Sequence, residues 1–202
     1  MPVDAVVLDV GGVLERTPPT GWQQRWAAEL GMPLAELGRR IREPGRAGRL
    51  GDITEAQWQA AVQRALDLSP EQLALFTADF WEEYLGTPNT ELIDWFRGLR
   101  TRVRTGILSN SFVGAREREQ ERYGFPDLTD ALVYSHEVGM AKPDPAVYRL
   151  VCARLRVPPE RTVFVDDHEE ALLGARAVGM TGVLFESSAQ VIAEVDALLA
   201  TG

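Results

Sequence analysis

Residues 3–14 read VDAVVLDVGGVL, and the order of these letters decides the fold. The valine-rich run from Val3 to Leu8 predicts a short strand buried on both faces, the habit of a parallel sheet rather than of a half-exposed hairpin. One carboxylate, Asp9, follows immediately, and then the pair Gly11 and Gly12. A carboxylate at the end of a buried strand is expensive to desolvate unless it is paired or used. Asp9 is therefore a candidate functional residue.

Outward from that strand the chain changes character twice. Residues from about Arg16 to Gly86 contain no strand-like run and carry apolar side chains at helical spacing: Trp22, Trp26 and Leu30, closed by Gly31, and later Trp58, Val62 and Leu66. Thr54 with Gln57, and Ser69-Pro70 with Gln72, predict two capped helix starts. Between these helices REPGRAGRLGD (42–52) reads as a loop, because four of its residues are Gly or Pro. From Asn89 onward helices and strands alternate: TELIDWFRGL then VRTGILS, AREREQERYG then ALVYS, PAVYRLVCARL then TVFVDD, EEALLGARAVG then TGVLFE, and a final helix. This order predicts an α/β fold, a parallel sheet covered on both faces, with ligands bound beyond the carboxyl ends of its strands.

Bulk properties narrow the function. A chain of 202 residues, 45% hydrophobic and 25% charged, is an ordinary globular composition, and a net charge of −9 repels nucleic acid and anionic lipid. No nucleic-acid or membrane partner is expected. Cys152 lies in an apolar helical pattern and reads as core. Without a leader pattern or a long apolar run, the expected compartment is the cytoplasm, and the expected state a monomer or homodimer.

The strand ends hold the chemistry. Asp9 follows the first strand, Ser109 and Asn110 follow TGIL, Asp166 and Asp167 follow TVFV, and Lys142 sits in the loop VGMAKPDP. Singly, each has an ordinary reading as a turn, cap or loop residue. Jointly they make a phosphoryl-transfer site. Three carboxylates sum to −3 and one ammonium gives +1, so a divalent cation brings the site to neutrality, and hard oxygen donors suit Mg²⁺. His136 and His168 read as bystanders, and Trp22 and Trp26 as core. The cluster Arg39, Arg40, Arg42, Arg46 and Arg49 reads mainly as a solvated face, with one member free to reach an anionic substrate.

Together LDVGGVL, ILSNS, VGMAKPDPAVY and VFVDD followed by GARAVGM resemble the four ordered motifs of the haloacid dehalogenase-like hydrolase superfamily, across nearly the whole chain. The resemblance implies a Rossmann-like core over residues 1–15 and 88–202, with a small α-helical cap over 16–87. It further implies a Mg²⁺-dependent phosphatase acting on a small phosphorylated metabolite. Asp9 would be the nucleophile that forms an aspartyl-phosphate, Ser109 and Asn110 would hold phosphoryl oxygens, and Lys142 would neutralise nucleophile and phosphate. Asp9, the Gly11 carbonyl, Asp166 and Asp167 would hold the metal.

Two positions depart from that pattern. Most phosphatases of the superfamily carry a second Asp, a general acid and base, where this chain has Gly11, so the proton for the leaving group must come from elsewhere: Glu15, a cap residue or the substrate. Ala171 stands where relatives commonly carry a loop-fixing Asn. Two alternatives stay open: a 2-haloacid dehalogenase-like hydrolase, against which the Asp166-Asp167 pair speaks, and a catalytically weakened binding or regulatory protein.

Overall fold

The computed structural model describes residues 2–200; Met1, Thr201 and Gly202, which belong to the expected core segments, lie outside the described residues. The first half of the chain runs β1 (Ala5–Leu8), β2 (Glu15–Arg16), α1 (Trp22–Glu29), α2 (Leu34–Leu50), α3 (Glu55–Leu66), α4 (Pro70–Leu85) and β3 (Thr87–Pro88). The second half runs α5 (Thr90–Leu99), β4 (Arg104–Ser109), α6 (Ala115–Tyr123), α7 (Phe125–Leu128), β5 (Ala131–Tyr134), α8 (Ser135–Val138), α9 (Pro145–Leu155), β6 (Thr162–Asp166), α10 (Glu169–Ala177), β7 (Thr181–Leu184) and α11 (Ser188–Ala200).

Five strands form one parallel sheet in the order β5-β4-β1-β6-β7, the α/β Rossmann-like architecture. The chain steps outward from β1 through β4 to β5, then returns to build β6 and β7 on the other side. The strand order therefore switches between β1 and β6, where such sheets open a crevice. Alternate residues of β1 feed opposite layers: Val6 and Leu8 join Phe96, Ile107 and Val195, whereas Ala5 and Val7 join Tyr148, Phe164 and Leu172. Double-sided burial is why β1 reads as a continuous apolar run. Cys152 is buried in the second layer.

A third cluster belongs to α1 through α4, where Trp22, Trp26, Trp58, Phe76 and Trp81 pack together and meet Phe112 and Val113 of the β4–α6 loop. Both expected capping boxes, Thr54 with Gln57 and Ser69 with Gln72, are present. The loop reading of 42–52 is corrected by the structure. Helix α2 runs straight through Pro44 and ends only at Gly51, whose φ of 73° caps it. A proline inside a helix costs about 3 kcal/mol, and Leu37, Ala47 and Gly48 of the same helix are buried. Gly48 serves close approach rather than a turn, because an added Cβ would lie 2.4 Å from the Phe112 ring.

The segments that enter and leave the helical block pair with each other. β2 and β3 form a two-stranded antiparallel ribbon with Glu15 opposite Pro88 and Arg16 opposite Thr87. Asn89 anchors the exit: its side-chain amide donates to Val13 O at 2.9 Å, and its carbonyl oxygen accepts from Ser188 Oγ at 3.0 Å.

Candidate active site

Register places the first two acids side by side. Leu8 pairs with Val165, so Asp9 and Asp166 follow at the same level on neighbouring strands, and Asp9 N donates to Val165 O at 3.0 Å. Lys142 joins them: its Nζ lies 2.8 Å from Asp9 Oδ1 and 2.6 Å from Asp166 Oδ2, with all three side chains buried. Burial pushes the Asp9 carboxyl up to about 6, and the Asp166 charge adds to that, while Lys142 opposes it. Burial likewise pulls the Lys142 ammonium down, but the two carboxylates outweigh it and hold the group above its usual value. Lys142 is therefore a fixed cation at neutral pH.

The remaining strand-end residues complete one cavity of about 410 Å³, bordered by Asp9, Gly11, Ser109, Asn110, Lys142, Asp166 and Asp167. Every residue singled out for the site in the sequence lies there. Ser109, at the end of β4, is buried, and its hydroxyl makes no hydrogen bond to another described residue. Asn110 is committed differently from Ser109. Its side chain accepts from Lys142 N at 2.8 Å and donates to Lys142 O at 3.0 Å, so it clamps the loop that carries the lysine. The loop after β6 is held by Asp166 Oδ1, which accepts from His168 N at 2.8 Å, and by the Tyr148 hydroxyl donating to Ala171 O at 2.6 Å. These bonds act at the segment where Ala171 offers no amide.

Two observations bear on a divalent cation. Ligand atoms of Asp166, Asp167 and His168 lie within 4.8 Å of one another, a hard oxygen set with one ring nitrogen. Gly12, at φ 78°, leaves room for the Asp167 carboxylate, since an added Cβ would fall 2.2 Å from Asp167 Oδ2. The residues present fit Mg²⁺. His168 is mostly exposed and pairs with Asp167 at 2.7 Å, a contact that raises its pKa. Of the Gly-Gly pair, only Gly12 is left-handed; Gly11 is not, and an added Cβ there meets no atom within 4 Å.

Three features were not resolved by the sequence: which arginine of the cluster reaches the site, and the burial of Glu15 and of Glu119. Arg49, from α2, borders the acidic cavity. Glu15 is buried with Oε1 unpaired, and burial together with the Glu119 charge pushes its carboxyl up to about 10. Glu119 is also fully buried, receives a hydrogen bond from the Tyr134 hydroxyl, and is raised by burial to about 7. Glu15 borders a second cavity of about 320 Å³ with Gly11, Ser109, Asn110, Trp22 and Tyr84, on the side facing the helical block. Trp22 thus serves both as core and as cavity wall.

A parallel α/β sheet with a lysine-bridged acid pair at its switch point defines a Rossmann-like hydrolase. Residues 3–179 match the family model of the haloacid dehalogenase-like hydrolases, and the chain belongs to that family. It is 29% identical over 204 aligned residues to "Phosphatase MT3486" of Mycobacterium tuberculosis, covering 94% of this chain and 90% of that protein. Its fold is similar to that of the HAD family enzyme bt-2542 of Bacteroides thetaiotaomicron, with a TM-score of 0.81, 18% identity, and coverage of 95% of this chain and 99% of that one. A magnesium complex of the same enzyme superposes with a TM-score of 0.78, at 20% identity over 92% of this chain and 94% of that one. The 2-haloacid dehalogenase of Pseudomonas syringae shares the fold at a TM-score of 0.69, with 20% identity and coverage of 98% of this chain and 99% of that one.

Proposed function

We propose that the chain is a Mg²⁺-dependent phosphatase that hydrolyses a small phosphorylated metabolite through an aspartyl-phosphate on Asp9. The observation that carries this reading is the Lys142 ammonium seated between Asp9 and Asp166, in one cavity with Ser109 and Asp167. The phosphatase relative from Mycobacterium tuberculosis supports it.

In the first step an Asp9 carboxylate oxygen attacks phosphorus, forming a P–O bond as the bond to the leaving oxygen breaks. In the second, water attacks the same phosphorus, and the P–O bond to Asp9 breaks, releasing inorganic phosphate and restoring the carboxylate. Lys142 holds positive charge beside the nucleophile and the incoming phosphoryl oxygens. Ser109 offers its hydroxyl to those oxygens, and Asn110 positions Lys142 through its backbone. Asp9, the Gly11 carbonyl, Asp166 and Asp167 would hold Mg²⁺, which supplies charge neutralisation for the phosphoryl group when bound. Gly11 presents no side chain to the leaving group. Residues 16–87 act as the cap over the core of 1–15 and 88–202.

The test measures phosphate release from an aryl phosphate with Mg²⁺ and with a chelator, alongside chloride release from a 2-chloro acid. Chelator-sensitive phosphate release without chloride is expected. Chloride release indifferent to chelator overturns the phosphatase reading in favour of a dehalogenase, and inactivity in both assays favours a binding or regulatory protein.

A further inference from the structure

A third cavity, of about 450 Å³, lies between the helical block and the β4–α6 loop, and Asn110 borders it as well as the two nearer the acids. Its walls are aromatic, including Trp22, Trp58, Phe80 and Phe112, and its lining contains two arginines, Arg42 and Arg49, but no carboxylate. This is unusual in a chain with a net charge of −9.

The arginines divide cleanly. Arg39 and Arg40 pair with Glu36, and Arg46 pairs with Glu43 and Asp52. Among the described residues, the Arg42 and Arg49 side chains make no ion pair or hydrogen bond, and these two are the members of the cluster that border the cavity. They stand seven residues apart on α2, two turns on one face, or roughly 10 Å along the axis. Gly38 and Gly45 lie on that same face and border the cavity, and an added Cβ at either meets nothing within 4 Å. Neither glycine is required by a turn or a close contact. A glycine inside a helix costs about 1 kcal/mol relative to alanine, and here the two leave open floor beneath the aromatic walls.

Arg49 also borders the cavity of the catalytic acids, whereas Arg42 borders only the aromatic one, so Arg49 stands at the near part and Arg42 at the far part of two adjoining cavities. We propose that the substrate is a phosphate monoester whose leaving group is an aromatic or otherwise apolar body carrying a second anionic group. Arg49 serves the phosphoryl end, the aromatic walls hold the body, and Arg42 reads the distal anion. This assignment rests on the phosphatase reading and adds the class of substrate.

Aryl phosphates bearing a carboxylate, a phosphonate or a neutral primary amide on a linker of one to three methylenes test it. The anionic members are expected to exceed the amide in kcat/KM by about 10-fold or more, the size of one charge-assisted hydrogen bond. The carboxylate and phosphonate arms identify which anion is preferred. Arg42→Gln should bring the anion-to-amide ratio close to one, whereas Arg39→Gln, whose arginine pairs with Glu36, should leave the ratio intact. A second readout needs no turnover: quenching of the chain's tryptophan fluorescence, to which Trp22 and Trp58 of the cavity wall contribute, by the corresponding phenols should show the same preference and the same loss in Arg42→Gln. If no aryl phosphate is hydrolysed but the anionic phenols still bind preferentially through Arg42, the phosphatase reading fails and the anion subsite stands. Equal binding and equal turnover of acid and amide, or a preference untouched by Arg42→Gln, overturns the subsite even in an active phosphatase.

Discussion

Gly11 and Glu15 carry the proposals that concern single residues at the site. In the proposed mechanism Gly11 supplies no proton to the leaving group, so the rate should fall steeply as the leaving-group pKa rises, with aryl phosphates outpacing alkyl phosphates. Because Gly11 is not left-handed and has open space around it, Gly11→Asp should fold. It should selectively speed poor leaving groups, by at most the ~10²–10⁴-fold of general acid catalysis. Parallel leaving-group plots for the two proteins check this; a wild-type plot already flat contradicts it. Glu15 gives a pH prediction. Its carboxyl, raised to about 10, keeps its proton in the folded protein over a range where the unfolded chain has lost it. The unfolded state then binds fewer protons, and stability falls as pH rises above the ordinary carboxylate range, by at most about 1.4 kcal/mol per pH unit for this group. Glu15→Gln should remove part of that slope, so urea midpoints of variant and wild type should diverge between pH 5 and 9 in the variant's favour. The absence of a carboxylate at Gly11 was legible in the sequence; the raised carboxyl of Glu15 was not, because burial of Glu15 and Glu119 is set by elements distant along the chain.

Among the elements, α2 shows where local letters mislead. Pro44, Gly45, Gly48 and Gly51 spell a loop, yet only Gly51 ends anything; the others stand inside a helix stabilised by packing that periodicity cannot reveal. The sheet strands were legible because burial on both faces demands continuous apolar runs, and their ends gave residues that border one cavity. Helix α2 also ties the helical block to the core. Val113 N donates to Gly48 O at 3.2 Å, and Ser135 Oγ donates to Arg49 O at 2.7 Å, while the β2–β3 ribbon joins the tethers. We propose that the block opens about that ribbon, a motion that breaks both bonds. Ser135→Ala, which also removes the acceptor of Ser111 N, should therefore accelerate hydrogen exchange in the last turn of α2, consistent with loss of bonds worth about 1 kcal/mol each. Unchanged exchange there would show that this contact does not gate the block.

At the scale of the whole molecule, three adjoining cavities run from the acid ladder to the arginine-marked aromatic chamber, and all meet at Asn110. The sequence supplied one end of this path, because strand-end acids follow from chain order. It did not supply the other, because which of five arginines lack a carboxylate partner depends on side chains brought in by folding. The acid end makes the central claim, a phosphoryl group carried by Asp9. Asp9→Asn should keep the fold, since Asp166 still pairs with Lys142 at 2.6 Å. The most direct measurement is rapid acid quenching of a single turnover of an aryl phosphate with Mg²⁺, followed by peptide mass spectrometry. One phosphoryl group on the peptide that contains Asp9, transient in the wild type and lost together with turnover in Asp9→Asn, is the predicted result. Phosphate release with no phosphorylated Asp9 peptide at any time, and an Asp9→Asn variant that turns over at the wild-type rate, would contradict the account.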